Sequence, residues 1–241
     1  METKIFNSTA ELDRAAASEF VKQVTLKPSS VIGLSTGRTT GPIHQTITTM
    51  YEQCPFDTSS LVLFALDEIA GVPKEYSGAC YTMIRNEIAD SLHIPDERLI
   101  TLPVKSEHWE KDFDSFVESI ASHGGIDLLF LGLGTNCHLG FNQPGTEFSK
   151  MTAYSWMMPE LEERIREETG ITDDTSLGGV TLGIRGIMNS RRIILAAKGA
   201  EKAEAVKKMI QGPVCEEVPA SVLQLHPFCT ILLDKEAASL L

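Results

Sequence analysis

The sequence predicts an α/β protein, a three-layer α/β/α fold around a Rossmann-like, mostly parallel sheet. Three observations carry that expectation. Short apolar runs of strand length alternate with stretches of helical period, the pattern of a parallel sheet covered on both faces. The run Ile126–Leu131 is a buried strand by its length and by the turn signal that follows it. From Gly132 the chain becomes rich in glycine and polar groups, and open α/β sheets place their ligand crevice at such strand ends.

The elements follow in order. Ser8 is positioned to cap a helix whose apolar positions are Leu12, Ala16, Phe20 and Val24. Ser30–Leu34 reads as a strand, Ser35–Gly41 as a polar loop, and Pro42 as the first turn of a helix reaching about Glu52. Leu61–Leu66 is a second strand, with Asp67 and Glu68 at its carboxyl end. Tyr81–Ser91 is helical in pattern and Leu99–Leu102 is a brief strand. Glu107–Ser122 places Trp109, Phe113, Phe116 and Ile120 on one helical face. After the central strand come a charged helix at Pro159–Glu168, a strand at Arg192–Ala197, a helix at Ala200–Ile210 and a last strand at Cys229–Leu233. No repeat or linker divides the chain, so residues 1–241 read as a single domain.

Composition narrows the function. The formal net charge is −12. That argues against nucleic acid and anionic membrane surfaces, which require a basic footprint. A small anionic substrate remains compatible, because it needs only a few local donors. Five cysteines, without a Cys-x-x-Cys pair, suggest neither a disulfide framework nor a zinc site. A reducing, cytoplasmic setting is expected. No signal-peptide pattern or membrane-length apolar run is present.

Three loops should share one edge of the sheet. Ser35, Thr36, Gly37, Arg38 and Thr39 precede a helix start, where free backbone N–H groups and hydroxyls can hold an anion. An ordinary polar turn would use the same residues. Asp67 and Glu68 end a buried strand, where a carboxylate with a raised pKa suits a general base. A helix cap or an ion pair is the alternative use of the pair. His138 can shuttle protons near neutral pH or be purely structural. Cys137 beside it reads as a small space-filler.

Three ordered motifs then resemble one family. They are Leu66-Asp-Glu-Ile-Ala-Gly-Val-Pro73, the Gly132-x-Gly-x-Asn-x-His-Leu-Gly-Phe-Asn-x-Pro144 loop and Ser221-Val-Leu-Gln-Leu-His-Pro227. Together they look like the glucosamine-6-phosphate deaminases, and most like their galactosamine-6-phosphate isomerase/deaminase relatives, over about Ser30 to Leu233. The 6-phosphogluconolactonases of the same superfamily share the strand-end Asp-Glu, but the Leu-Gly-Phe-Asn-Gln-Pro run after His138 is deaminase-like.

The resemblance implies a cofactor-free, metal-free aldose–ketose isomerisation of an amino-sugar phosphate, with release of ammonia. It makes Asp67 the base at C2 and His138 the group that assists ring opening. It assigns the phosphate to the Ser35–Thr39 loop, Lys202 and Arg166, and sets Glu68 in the substrate-binding group. The sequence departs from the deaminase pattern beside His138: Asn136 replaces an Asp, Cys137 a Gly and Gln143 a Glu. Asn136 and Gln143 remain in the catalytic group, and loss of both carboxylates should lower the pKa of His138. The expected partner is a small-molecule sugar phosphate, handled by a monomer or small homo-oligomer. A non-catalytic sugar-phosphate sensor and a lactonase are the alternatives.

Overall fold

The computed structural model describes residues 1–172 and 177–241. The chain runs β1 (Glu2–Phe6), α1 (Thr9–Leu26), β2 (Val31–Leu34), α2 (Gly41–Gln53), β3 (Val62–Ala65), β4 (Asp67–Ala70) and α3 (Cys80–Ile84). It continues through β5 (Leu99–Ile100), α4 (Trp109–Ser122), β6 (Leu128–Gly132), β7 (Thr152–Ser155) and α5 (Pro159–Thr169). The last part is β8 (Gly178–Leu182), α6 (Ile184–Met188), β9 (Ile193–Ala197), α7 (Ala203–Gln211) and β10 (Cys229–Asp234).

Seven strands form one sheet in the order β1-β10-β9-β6-β2-β3-β5. Every pairing in it is parallel. Alternate residues of each strand feed opposite faces. Ile32, Leu34, Leu128 and Phe130 pack with Leu12, Phe20 and Val24 of α1 and Ile43 and Ile47 of α2. Val31, Leu129 and Leu131 pack with Phe113, Phe116 and Ile120 of α4 and Val206 and Met209 of α7. The predicted three-layer fold is therefore the observed one. Gly33 in β2 shows how tightly the layers meet, since a Cβ there would lie 2.2 Å from the Phe64 ring.

The local predictions hold for local reasons. The Ser8 side chain accepts from the Glu11 N–H at 3.2 Å and starts α1. Pro42 sits in the first turn of α2. The helix expected over Tyr81–Ser91 divides into α3 and a π-helical turn, Arg85–Ala89. The helix expected from Ala200 opens with a 3-10 turn, Ala200–Lys202, before α7.

Two features are absent from the sequence reading. β1 is a sheet edge whose residues are mostly exposed, so its sequence carries no burial pattern. A second sheet, β4-β8-β7, is antiparallel. Asp67 and Glu68 are thus not a loop after β3 but the first residues of β4. Between that sheet and α5 lies a small cluster that includes Ile69, Met157 and Ile165.

Candidate active site

Strand order reverses between β2 and β6. From β2 the chain moves outward to β3 and β5, then returns to β6 and continues to β9 and β10. A crevice opens beyond the carboxyl ends at such a reversal. Here a cavity of about 460 Å³ is lined by Ser35, Thr36, Arg38 and Thr39 after β2, Asp67 after β3, His138 after β6, and Lys198 and Lys202 after β9. Four adjacent strands thus deliver the three loops expected to share one edge. A second cavity of about 920 Å³ shares Thr36, Arg38, Asp67 and His138 with the first, and extends past Gln143 to Glu87 and Arg164. A separate groove of about 730 Å³ near β7 reaches Gln143 but none of the other predicted site residues.

Ser35 ties the two sides of the crevice together. Its Oγ donates to the Phe130 carbonyl at 3.1 Å and accepts from the Gly132 N–H at 3.2 Å. Gly37 takes a φ of 115°, which only glycine adopts readily. The Lys198 ammonium donates to the Thr39 carbonyl at 2.8 Å and pairs with Asp13, so it braces the loop from below. Arg38 and Lys202 face the cavity and form no ion pair among the described residues. Burial and the nearby Arg38 lower the Lys202 pKa, against the opposing pull of Glu201. Arg38 and Lys202 therefore stand on the cavity wall as cations an anion can meet, with Glu201 as the carboxylate beside them.

Asp67 is buried, and its pKa is pushed up to about 7, first by burial and then by the Glu68 charge, against a hydrogen bond from Cys80. A carboxylate tuned to that range is well matched to proton abstraction near neutrality. Beside it, Gly140 has φ 58°, and a Cβ there would sit 2.6 Å from Thr181 Oγ1 and 3.3 Å from Asp67 Oδ2. The missing side chain keeps that oxygen accessible.

His138 carries its own short chain of partners. Its Nδ1 lies 2.7 Å from Asn136 Oδ1, which also accepts the His138 backbone N–H at 3.2 Å. Asn136 Nδ2 in turn donates to Gln143 Oε1 at 3.0 Å. With its amide committed to Gln143, Asn136 offers His138 only an acceptor. Nδ1 must therefore carry the hydrogen, which leaves the Nε2 lone pair free. Burial, and then the Lys202 charge, hold the His138 pKa below its ordinary value. These causes are distinct from the absence of carboxylates at Asn136 and Gln143. Cys137 is buried against the core with φ 69°, the left-handed region where a glycine costs less. Burial pushes its thiol pKa up, so it acts as a filler rather than a nucleophile.

Two predicted residues stand elsewhere. Glu68 is fully buried and faces neither cavity. Its Oε1 accepts the N–H groups of Ile69 and Cys80 and its Oε2 that of Tyr81, each at 2.8 Å. Those bonds cap the start of α3 and leave nothing for a substrate. Burial still raises its pKa. Arg166 lies along α5 and pairs with Glu162 at 2.8 Å, while the cavity wall is reached by Arg164, two positions earlier. On a helix, a shift of two turns a side chain to another face. Cys80, Lys198 and Arg164 were not singled out from sequence. Lys198 lies in the same short segment as Lys202, but the partners of Cys80 are set by tertiary contacts alone.

Comparison with known proteins agrees with this architecture. The profile of the glucosamine-6-phosphate isomerase/6-phosphogluconolactonase family matches residues 7–231. A glucosamine-6-phosphate deaminase of Halothermothrix orenii is 34% identical over 244 residues, covering all of both chains. A solved monomeric glucosamine-6-phosphate deaminase superposes with a TM-score of 0.92 at 28% identity, over all of both chains. A 6-phosphogluconolactonase from Trypanosoma cruzi shares the fold, with a TM-score of 0.79 at 21% identity over 99% of this chain and 96% of that one. The chain belongs to the glucosamine-6-phosphate isomerase/6-phosphogluconolactonase family.

Proposed function

We propose that this protein converts a hexosamine 6-phosphate, galactosamine- or glucosamine-6-phosphate, to the ketose 6-phosphate and ammonia, with the galactosamine epimer preferred. The observation that carries the reading is one cavity that brings together Asp67, whose pKa is pushed up to about 7, His138, whose pKa is held below its ordinary value, and the cations Arg38 and Lys202.

The 6-phosphate lies against the Ser35–Thr39 loop, Arg38 and Lys202. The sugar then extends toward His138 and Asp67. His138 Nε2 takes the proton of the anomeric hydroxyl and returns it to the ring oxygen, which opens the ring without net change. Asp67 removes the C2 proton, the electron pair forms the C1–C2 double bond of an enolamine, and the C1=O π bond breaks as the C1 oxygen takes a proton from solvent. Protonation at C1 gives a C2 imine, and water adds there to expel ammonia. No cofactor is required. A neutral His138 can perform the first step as a base, and Asn136 orients it without charge. Arg164 replaces Arg166 as the cation offered from α5.

Release of ammonia and ketose 6-phosphate from both hexosamine 6-phosphates tests the proposal. Asn136 and Gln143, in place of carboxylates, favour one second reading, a sensor that binds the sugar phosphate without turnover. Tight binding with no ammonia would support the sensor. Turnover of a 6-phospholactone alone would support a lactonase.

A further inference from the structure

The geometry points to Cys80 as a positioning residue for the proposed base, the middle member of a relay that runs from Thr36 through the Cys80 thiol to Asp67. This inference rests on the isomerase/deaminase reading of the same cavity. Cys80 Sγ donates to Asp67 Oδ1 at 3.6 Å and accepts from Thr36 Oγ1 at 3.3 Å. Thr36 lines the cavity on the anion-loop side, and Cys80 is buried. Its thiol pKa is driven well above the ordinary value by burial and by the Asp67 and Glu68 charges, so it stays a protonated donor.

The placement is built, not incidental. Glu68, the neighbour of Asp67 in β4, holds the Cys80 backbone N–H at 2.8 Å. The strand that carries the base therefore also fixes the residue that bonds to it. The thiol occupies Oδ1, while Oδ2 lies 3.3 Å from where a Gly140 Cβ would stand, and Asp67 and Gly140 both line the cavity. One carboxylate oxygen is thus tethered and the other is left to meet a C–H bond. A weak S–H donor suits that task, because a strong donor would drain the basicity that burial creates.

Other titratable groups share the walls of these cavities with Asp67. Glu68 adjoins it in β4, and His138 shares the wall of the cavity. Arg38, Lys198 and Lys202 line the anion end with Glu201, and Glu87 and Arg164 line the adjoining cavity. None of them is removed by a change at Cys80, so the effect of the thiol can be read separately.

The test is the pH dependence of deuterium exchange at C2 of galactosamine 6-phosphate and glucosamine 6-phosphate, for the wild type, Cys80→Ala and Cys80→Ser. Asp67 must be ionised to act, so exchange rises with pH through its pKa. Cys80→Ala removes a bond that favours the ionised form and should move that limb upward by about half to one pH unit. Cys80→Ser restores a donor and should return the limb to the wild-type position or below it. Thr36→Val should move it in the same direction as the alanine, by less. In parallel, carbon-13 NMR titration of Asp67 in the unliganded protein reads the same shifts without any reaction. Limbs and titrations that coincide in all variants would overturn the relay. A wild type that exchanges neither sugar, with the titration still shifted by Cys80→Ala, would retain the relay and remove the proposed reaction.

Discussion

At Asp67, basicity is obtained by burying a carboxylate, and the same burial sets a stability cost. Its folded pKa of about 7 lies above the ordinary value of 3.8. The contribution of Asp67 to stability is therefore full below about pH 4 and lost as pH rises through about 7. Asp67→Asn should lower C2 exchange by roughly 10²–10⁴-fold. It should also raise stability at pH 8 by a few kcal/mol while changing little at pH 4. Denaturant midpoints at the two values check this, and equal effects at both would refute the linkage. His138 gives the complementary case. Gln143→Glu puts a charge behind Asn136 and should raise the His138 pKa, measured by proton NMR. With neutral His138 as the base of ring opening, kcat on the cyclic sugar near pH 7 should fall as the imidazole becomes charged. A raised pKa with higher activity would show that the charged form opens the ring. Asp67 and His138 were legible as a strand end and a glycine-rich loop, and Lys202 through the family resemblance alone; one cavity is lined by all three. Glu68 and Arg166 were misplaced because sequence adjacency does not say which way a side chain turns.

At the scale of elements, α3 exists where it does because Glu68 receives its first N–H groups. The helix has no cap from its own flanking residue. Glu68→Ala would leave two buried N–H groups and one half-buried one without that acceptor. A loss of about 2–4 kcal/mol is expected, since unpaired buried donors carry their full desolvation cost. Chemical denaturation measures it, and an unchanged midpoint would mean that packing alone holds the helix start. The parallel strands were readable because burial on both faces makes them continuous apolar runs. β4, β7 and β8 were not readable. β8 carries two glycines, Gly178 and Gly179, where a Cβ would strike the Tyr154 and Phe141 rings at 2.4 Å and 2.0 Å. Two glycines among five buried residues remove the alternation that marks a strand, although Val180 and Thr181 are β-branched.

Over the whole molecule, the proposed function requires a chain of net charge −12 to draw an anion into one corner. Arg38 comes there from the end of β2, and Lys198 and Lys202 from the end of β9, so an acidic chain gathers cations locally, beside Asp67 and Glu201. No helix among the described residues is long and apolar enough to cross a membrane. The seam between β2 and β6, over which that corner stands, is short, with Ile32 opposite Leu128 and Gly33 opposite Leu129. A side chain clamps it at each end. Asp127 accepts the Val31 N–H at 2.9 Å at one end, and Ser35 accepts the Gly132 N–H at the other. These two amides are therefore independent clocks for the opening of the sheet at its middle. In native-state hydrogen exchange, Ser35→Ala should speed Gly132 strongly and leave Val31 slow, because local openings differ in free energy along one structure. Equal acceleration of both would mean that the two halves of the sheet part as a single cooperative event, and that a hydroxyl beneath the substrate also times how long the molecule stays whole.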